Sequence, residues 1–73
     1  MEKVKNVSIN TPYITLQQLL KYSGIISEGG EAKLFLTTNV VLVNGESEVR
    51  RGRKIYPGYK IEIGEMLIIV DAK

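Results

Sequence analysis

Apolar residues along this chain change period twice, from two near the start to a helical three or four and back to two past the middle. In the first half, Val7 and Ile9 alternate with Ser8 and Asn10, which predicts a short strand that Thr11-Pro12 ends. Leu16, Leu19 and Leu20 then fall at i, i+3 and i+4, one apolar stripe on a helix over 15–22. Thr15 is its predicted N-cap, and Gln17, Gln18 and Lys21 lie off the stripe. Ser23-Gly24 ends the helix, because glycine readily takes the left-handed conformation after a C-terminus. Ile25 and Ile26 follow as buried anchors in a connector. A second helix is predicted from Gly29-Gly30 to about Thr38. Its stripe is Ala32, Phe35 and Leu36, with Leu34 at the margin. Glu31 suits the positive end of its dipole, and Lys33 and Thr37 share a face.

In the second half the period becomes two. Val40 to Val43 is a β-branched apolar run, and Asn44-Gly45 after it is a strong hairpin signal. A polar stretch, Glu46 to Lys54, leads to Ile55, and Pro57-Gly58 marks another turn. Tyr59, Ile61 and Ile63 alternate with Lys60 and Glu62, as in a half-buried strand. Gly64-Glu65 separates it from a last apolar strand, Met66 to Val70. The expected fold class is α+β: two short helices packed on a small, mainly antiparallel β-sheet.

Length changes this picture only by limiting it. The 73 residues make one domain, expected to span 1–73, with a modest core. The chain has no Cys and no His, which removes disulfides, most transition-metal sites and the usual nucleophile–base pairs. No cofactor is expected. The start, Met1 to Asn6, lacks a signal-peptide core, and the run 66–70 is far short of a membrane span of ~20 residues. The expectation is a cytoplasmic protein with no membrane partner and no small-molecule substrate, a monomer rather than an oligomer.

Charge distribution adds more than net charge, which is only +2. Between Val49 and Ile61 stand Arg50, Arg51, Arg53, Lys54 and Lys60, with no acid among them. Such a stretch can present a positive face on a nearly neutral chain. Three guanidinium forks and Lys54 suit phosphate oxygens, and Gly52 lets the backbone bend between them. The plainer reading is a solvated loop, and composition alone does not separate the two. Gly29-Gly30 offers backbone amides to a phosphate, or is simply a tight connection. Lys21, Lys33 and Lys60 are further candidates, each also readable as an ordinary exposed lysine. Tyr56 and Tyr59 flank the Pro57-Gly58 turn, where an aromatic ring can stack on a base. Tyr59 is expected to pack inward, and the residues leave Tyr56 open. Glu46 and Glu48, two apart in a polar turn region, are the candidate carboxylates for acid–base chemistry; so short a chain has little room for a cleft, and no enzyme is expected.

The order of these signals resembles a known family. A helix, then Gly29-Gly30-Glu31-Ala32-Lys33 opening a second helix, then Val43-Asn44-Gly45, Arg50-Arg51-Gly52-Arg53-Lys54 and Pro57-Gly58 before a strand, is similar to the S-four domain, the αL RNA-binding motif. Within it the chain looks most like the stand-alone YaaA-like and YbcJ-like branch of small bacterial proteins. The resemblance covers about Ile14 to Ile63. Thr15 and Glu28-Gly29 stand where the broader family often has Arg and Ser-Arg. The resemblance implies binding to structured RNA, ribosomal RNA above all, and a role in large-subunit maturation. By position it implies that Lys33, Arg50, Arg51, Arg53 and Lys54 line one basic face, with Gly29-Gly30 near a phosphate. The rival reading is a protein-interaction domain whose basic loop docks on an acidic partner, with the strand 66–70 free to pair at a sheet edge and form a dimer.

Overall fold

A computed structural model describes residues 3–73; Met1 and Glu2, where the segment read for a signal peptide begins, lie outside the described residues. The elements in chain order are β1 (Lys3–Ile9), β2 (Ile14–Thr15), α1 (Leu16–Tyr22), a 3-10 turn (Gly29–Glu31), α2 (Ala32–Thr38), β3 (Val41–Val43), β4 (Glu46–Ser47), β5 (Lys54–Ile55), β6 (Lys60–Ile63) and β7 (Met66–Ala72). The architecture is α+β, two helices against a mixed, mostly antiparallel sheet.

Helices of seven residues are marginal in isolation, so their ends and their packing must hold them. At the start of α1 a capping box forms: the Gln18 N–H donates to Thr15 Oγ1 at 3.2 Å, and the Thr15 N–H donates to Gln18 Oε1 at 2.9 Å. At its end Gly24 takes φ 80°, and the Ile25 and Gly24 amides donate back to the Leu20 and Lys21 carbonyls, as in a Schellman motif. Leu16, Leu19 and Leu20 are fully buried. The second helix starts later than its pattern suggests. Gly29–Glu31 forms a 3-10 turn, and Glu31 Oε1 accepts from the Ser27 and Glu28 amides, so Glu31 closes that turn before α2 begins.

Five strands form the main sheet in the order β1-β7-β6-β3-β4. Asn44 and Gly45 both take positive φ (51° and 87°), giving the two-residue turn between β3 and β4. Inward-facing Val41, Val43, Ile61, Ile68 and Val70 meet the α1 and α2 stripes to make the core. Two departures from expectation concern pairing. The first strand is longer than its alternating residues indicate, and it lies parallel to β7, Val7 opposite Val70. As a result, the run 66–70 is not an edge available for dimerisation: β1 covers one side and β6 the other. This suits its continuous apolar character, because interior strands need neighbours on both sides. Separately, β2 and β5 pair in a small antiparallel ladder, Ile14 opposite Ile55 and Thr15 opposite Lys54. That ladder fastens the basic segment to the start of α1.

Candidate nucleic-acid interface

The basic loop is organised by an acid. Past β4, the Glu48 N–H donates to the Val41 carbonyl at 2.9 Å, carrying the side chain under the loop, where it is buried. Its Oε2 accepts from the Val49 amide (3.0 Å), the Arg50 amide (3.1 Å) and Arg50 Nε (3.1 Å). Its Oε1 accepts from Arg50 Nη2 (3.0 Å) and Arg53 Nη1 (2.9 Å). Arg50 therefore grips both oxygens in a fork, and Arg53 closes the ring from three residues on. The Arg50 side-chain hydrogen bond is the main cause holding the Glu48 carboxyl down at about 2, from 4.5. Burial opposes it, and the Arg50 amide and Arg53 reinforce it. In return, the Glu48 hydrogen bond raises both guanidinium groups further above their usual value.

The loop backbone is fixed as firmly as its side chains. An Arg53 N–H to Arg50 carbonyl bond of 3.2 Å closes a turn around Gly52. The Arg53 and Arg51 carbonyls then accept from the Leu16 and Gln17 amides at 2.8 and 2.9 Å. The first amides of α1 are thus consumed by the loop and by Thr15 Oγ1. Positive character at this end of the molecule comes from side chains, not from open helix amides. The Gln17 side chain continues the surface onto the 3-10 turn. It lies so close to Gly29 that a Cβ there would fall 2.5 Å from Gln17 Nε2. A Cβ on Gly29 would oblige the flexible end of Gln17 to move aside, while a Cβ on Gly30 would meet nothing within 4 Å.

Aromatic rings border the same loop. Tyr13, Tyr56 and Tyr59 form a row with centroids 5.6 and 5.7 Å apart, tilted 50° and 58°. Lys54 Nζ lies 5.0 Å from the Tyr13 ring centre, a cation–π contact. Arg50, Gly52, Arg53, Lys54, Tyr56 and Tyr59 together line one shallow concavity. Tyr59 is half-buried against the core, as its alternation with Ile61 indicates, whereas Tyr56 stays outside it.

The structure brings Arg50, Arg51 and Arg53 into one loop with Lys54 at the start of β5 beside it, and Gly29 alongside through Gln17. Lys33 is exposed four residues beyond Gly29, on the first turn of α2. Two candidates lie apart from this group. Lys21 lines a groove between α1 and the end of β1, with Gln18, Tyr22 and Lys73. Lys60 sits on β6 beside the Asn44 turn, its amide bonded to Asn44 Oδ1 at 2.9 Å. Sequence reasoning missed Glu48 and Gln17 as organisers of the surface. The signal for Glu48 was its place two residues ahead of an arginine cluster, but only burial distinguishes it from exposed Glu46.

The S4 domain family model matches residues 7–71. The chain belongs to the S4 domain family. S4 domains bind RNA, and this one is of a non-enzymatic kind. The chain is similar to the probable ribosome maturation protein RlbA of Bacillus subtilis (strain 168), 53% identical over 57 residues, covering 78% of this chain and 80% of that protein. No helix among the described residues of this S4 domain is long and apolar enough to cross a membrane.

Proposed function

We propose that this S4 domain binds structured ribosomal RNA through the Arg50–Lys54 loop and the neighbouring Gly29-Gly30 turn, and acts in maturation of the large ribosomal subunit in the cytoplasm. The observation that carries the reading is the rigid presentation of the loop. Glu48 clamps it from below and α1 holds it from the side, so the loop backbone and the Arg50 and Arg53 side chains are set before a ligand arrives. Arg51 and Lys54 make no ion pair among the described residues and are exposed, so their charge is the most available to phosphate. Lys33 extends the face from α2, and Lys21 and Lys60 contribute at longer range. Folded RNA is read largely by shape and backbone contacts, because its major groove is too deep and narrow for side chains. A preset array of cations suits that mode. The similarity to a probable ribosome maturation protein supports ribosomal RNA as the target.

The structure guides the choice of test. Reversing Arg50 would set a second acid beside Glu48 and disturb the loop itself. Arg51→Glu with Lys54→Glu removes the accessible charge and leaves the Glu48 ring in place. The measurement is binding to large-subunit precursor ribosomal RNA, by filter retention over a salt series. The parent is expected to show a log–log salt slope of about −3 to −4, as for four or five neutralised phosphates. The double variant should bind at least tenfold more weakly, with a shallower slope and an unchanged circular dichroism spectrum. Equal binding by a folded double variant would overturn the reading.

A further inference from the structure

Next to the cationic loop lies a partly exposed aromatic ring that stands outside the core. Tyr56 is 40% exposed, while the adjacent Ile55 is fully buried and supplies the core contact for this segment. Its backbone is nonetheless held rigidly. The Tyr59 amide donates to the Tyr56 carbonyl at 3.1 Å, closing a turn with Pro57 second and Gly58 third at φ 94°. The Gly58 amide ties that turn to the Val70 carbonyl at 2.6 Å. Tyr13 and Tyr59 both contact the ring at steep tilts, and neither lies flat upon it. Arg50, Gly52, Arg53 and Lys54 line the same concavity as Tyr56, and a Cβ on Gly52 would meet nothing within 4 Å. One small hollow thus combines a pre-positioned aromatic face with three cations.

A fully paired RNA helix has no use for that face, because its bases are stacked on one another. We propose that the hollow is a site for one unpaired nucleotide, whose base stacks on Tyr56 while its flanking phosphates lie against Arg50, Arg53 and Lys54. This rests on the RNA-binding reading above and deepens it: the preferred target is a helix interrupted by a bulged or looped-out residue. Stacking accepts any base, since each has a flat π face, so the site selects an RNA structure and not a sequence. Bracing by Tyr13 and Tyr59 means little side-chain freedom is lost on binding.

The test uses the full chain and three labelled RNA hairpins: a perfect stem, the same stem with a one-nucleotide bulge, and that bulge with an abasic nucleotide. Fluorescence anisotropy gives the affinities. The chain has no Trp, so intrinsic emission comes from its four tyrosines, and the part of the quenching lost in Tyr56→Phe is the share of Tyr56. The bulged stem is expected to bind about tenfold tighter than the perfect stem and to quench tyrosine emission. The abasic bulge should lose both effects. Tyr56→Leu should bind all three stems equally, at the parent's affinity for the perfect stem, and Tyr56→Phe should keep the preference. Equal binding of the bulged and perfect stems by the parent would overturn the site while leaving the RNA-binding reading intact. So would a full preference for the abasic bulge, which would mark helix flexibility as the cause, or a preference surviving in Tyr56→Leu. Absence of salt-dependent binding to every hairpin would overturn both readings together.

Discussion

Glu48→Gln is the most direct probe of how the basic loop is built. The substitution keeps the shape of the side chain but removes its charge and turns one acceptor oxygen into an NH2 group facing guanidinium donors. In the parent, five hydrogen bonds converge on the carboxylate. Its value of about 2, against 4.5, sets a ceiling of roughly 3 kcal/mol on what its ionised form contributes to folding. Arg50 is 70% exposed, and solvent screens its share, so about 1–2 kcal/mol is the reasonable expectation. For a chain of this size that corresponds to a drop of roughly 4–16 °C in Tm, or about 1 M in urea midpoint at pH 7. The pH dependence has a definite sign. A carboxyl whose value is lowered on folding stabilises fully above its unfolded value near 4.5 and loses that contribution as pH falls toward 2. The parent should therefore weaken between these pH values more than the variant does, and the two urea midpoints should converge in acid. Urea titrations followed by circular dichroism at pH 7, 5, 4, 3 and 2 measure this. Equal midpoints at neutral pH, with superimposable acid profiles, would refute the account of Glu48 as the organiser of the loop.

Other expectations follow from single contacts. Arg51→Ala should leave Tm nearly unchanged, because only its carbonyl is used in the fold, yet reduce the magnitude of the RNA salt slope by about one. Thr15→Ala should cost about 1 kcal/mol in urea denaturation through loss of the capping box, with the β2–β5 ladder retained. Gly58→Ala, at φ 94° with open space around the new Cβ, should cost on the order of 1–2 kcal/mol purely as backbone strain. A larger loss there would mean that the turn also bears on the aromatic row beside it.

Legibility in the sequence follows the distance over which each feature is decided. The Thr15 cap, the Leu16-Leu19-Leu20 stripe and the Asn44-Gly45 and Pro57-Gly58 turns are set by neighbours within a few residues, and each was readable. The parallel pairing of β1 with β7 joins the two ends of the described chain, and no local pattern announces a partner that far away. It also decides whether 66–70 is an edge or an interior strand, so the interior position of that run is not visible in its own residues. The candidate site divides in the same way. Three arginines within four residues are visible in the sequence, but the burial of Glu48 depends on a bond to Val41 in another strand. Without that bond, Glu46 and Glu48 look alike. Lys21 and Lys33 show the limit of helical periodicity, which assigns each to an exposed face but leaves open which neighbouring element that face meets.

An acid at the centre of a basic loop looks at first like a loss, since it reduces the loop from four positive charges to a net three (Arg50, Arg51, Arg53 and Lys54 against Glu48). Attraction for phosphate at long range falls accordingly. In exchange, two long and flexible arginines are held at fixed positions, and the loop backbone is pinned through the Val49 and Arg50 amides. Immobilising such side chains on binding costs about 0.5–1.5 kcal/mol each, and here the fold itself has already ordered them. A loop selected only for affinity to any polyanion would do better with free lysines and no carboxylate. The arrangement found here gives up general attraction for a fixed spacing of donors, which is what the proposed recognition of RNA by shape would require. Freeing the arginines with Glu48→Gln should then raise binding to an unstructured polyanion such as heparin while weakening binding to folded ribosomal RNA. If both affinities moved in the same direction, the clamp would be acting through charge alone.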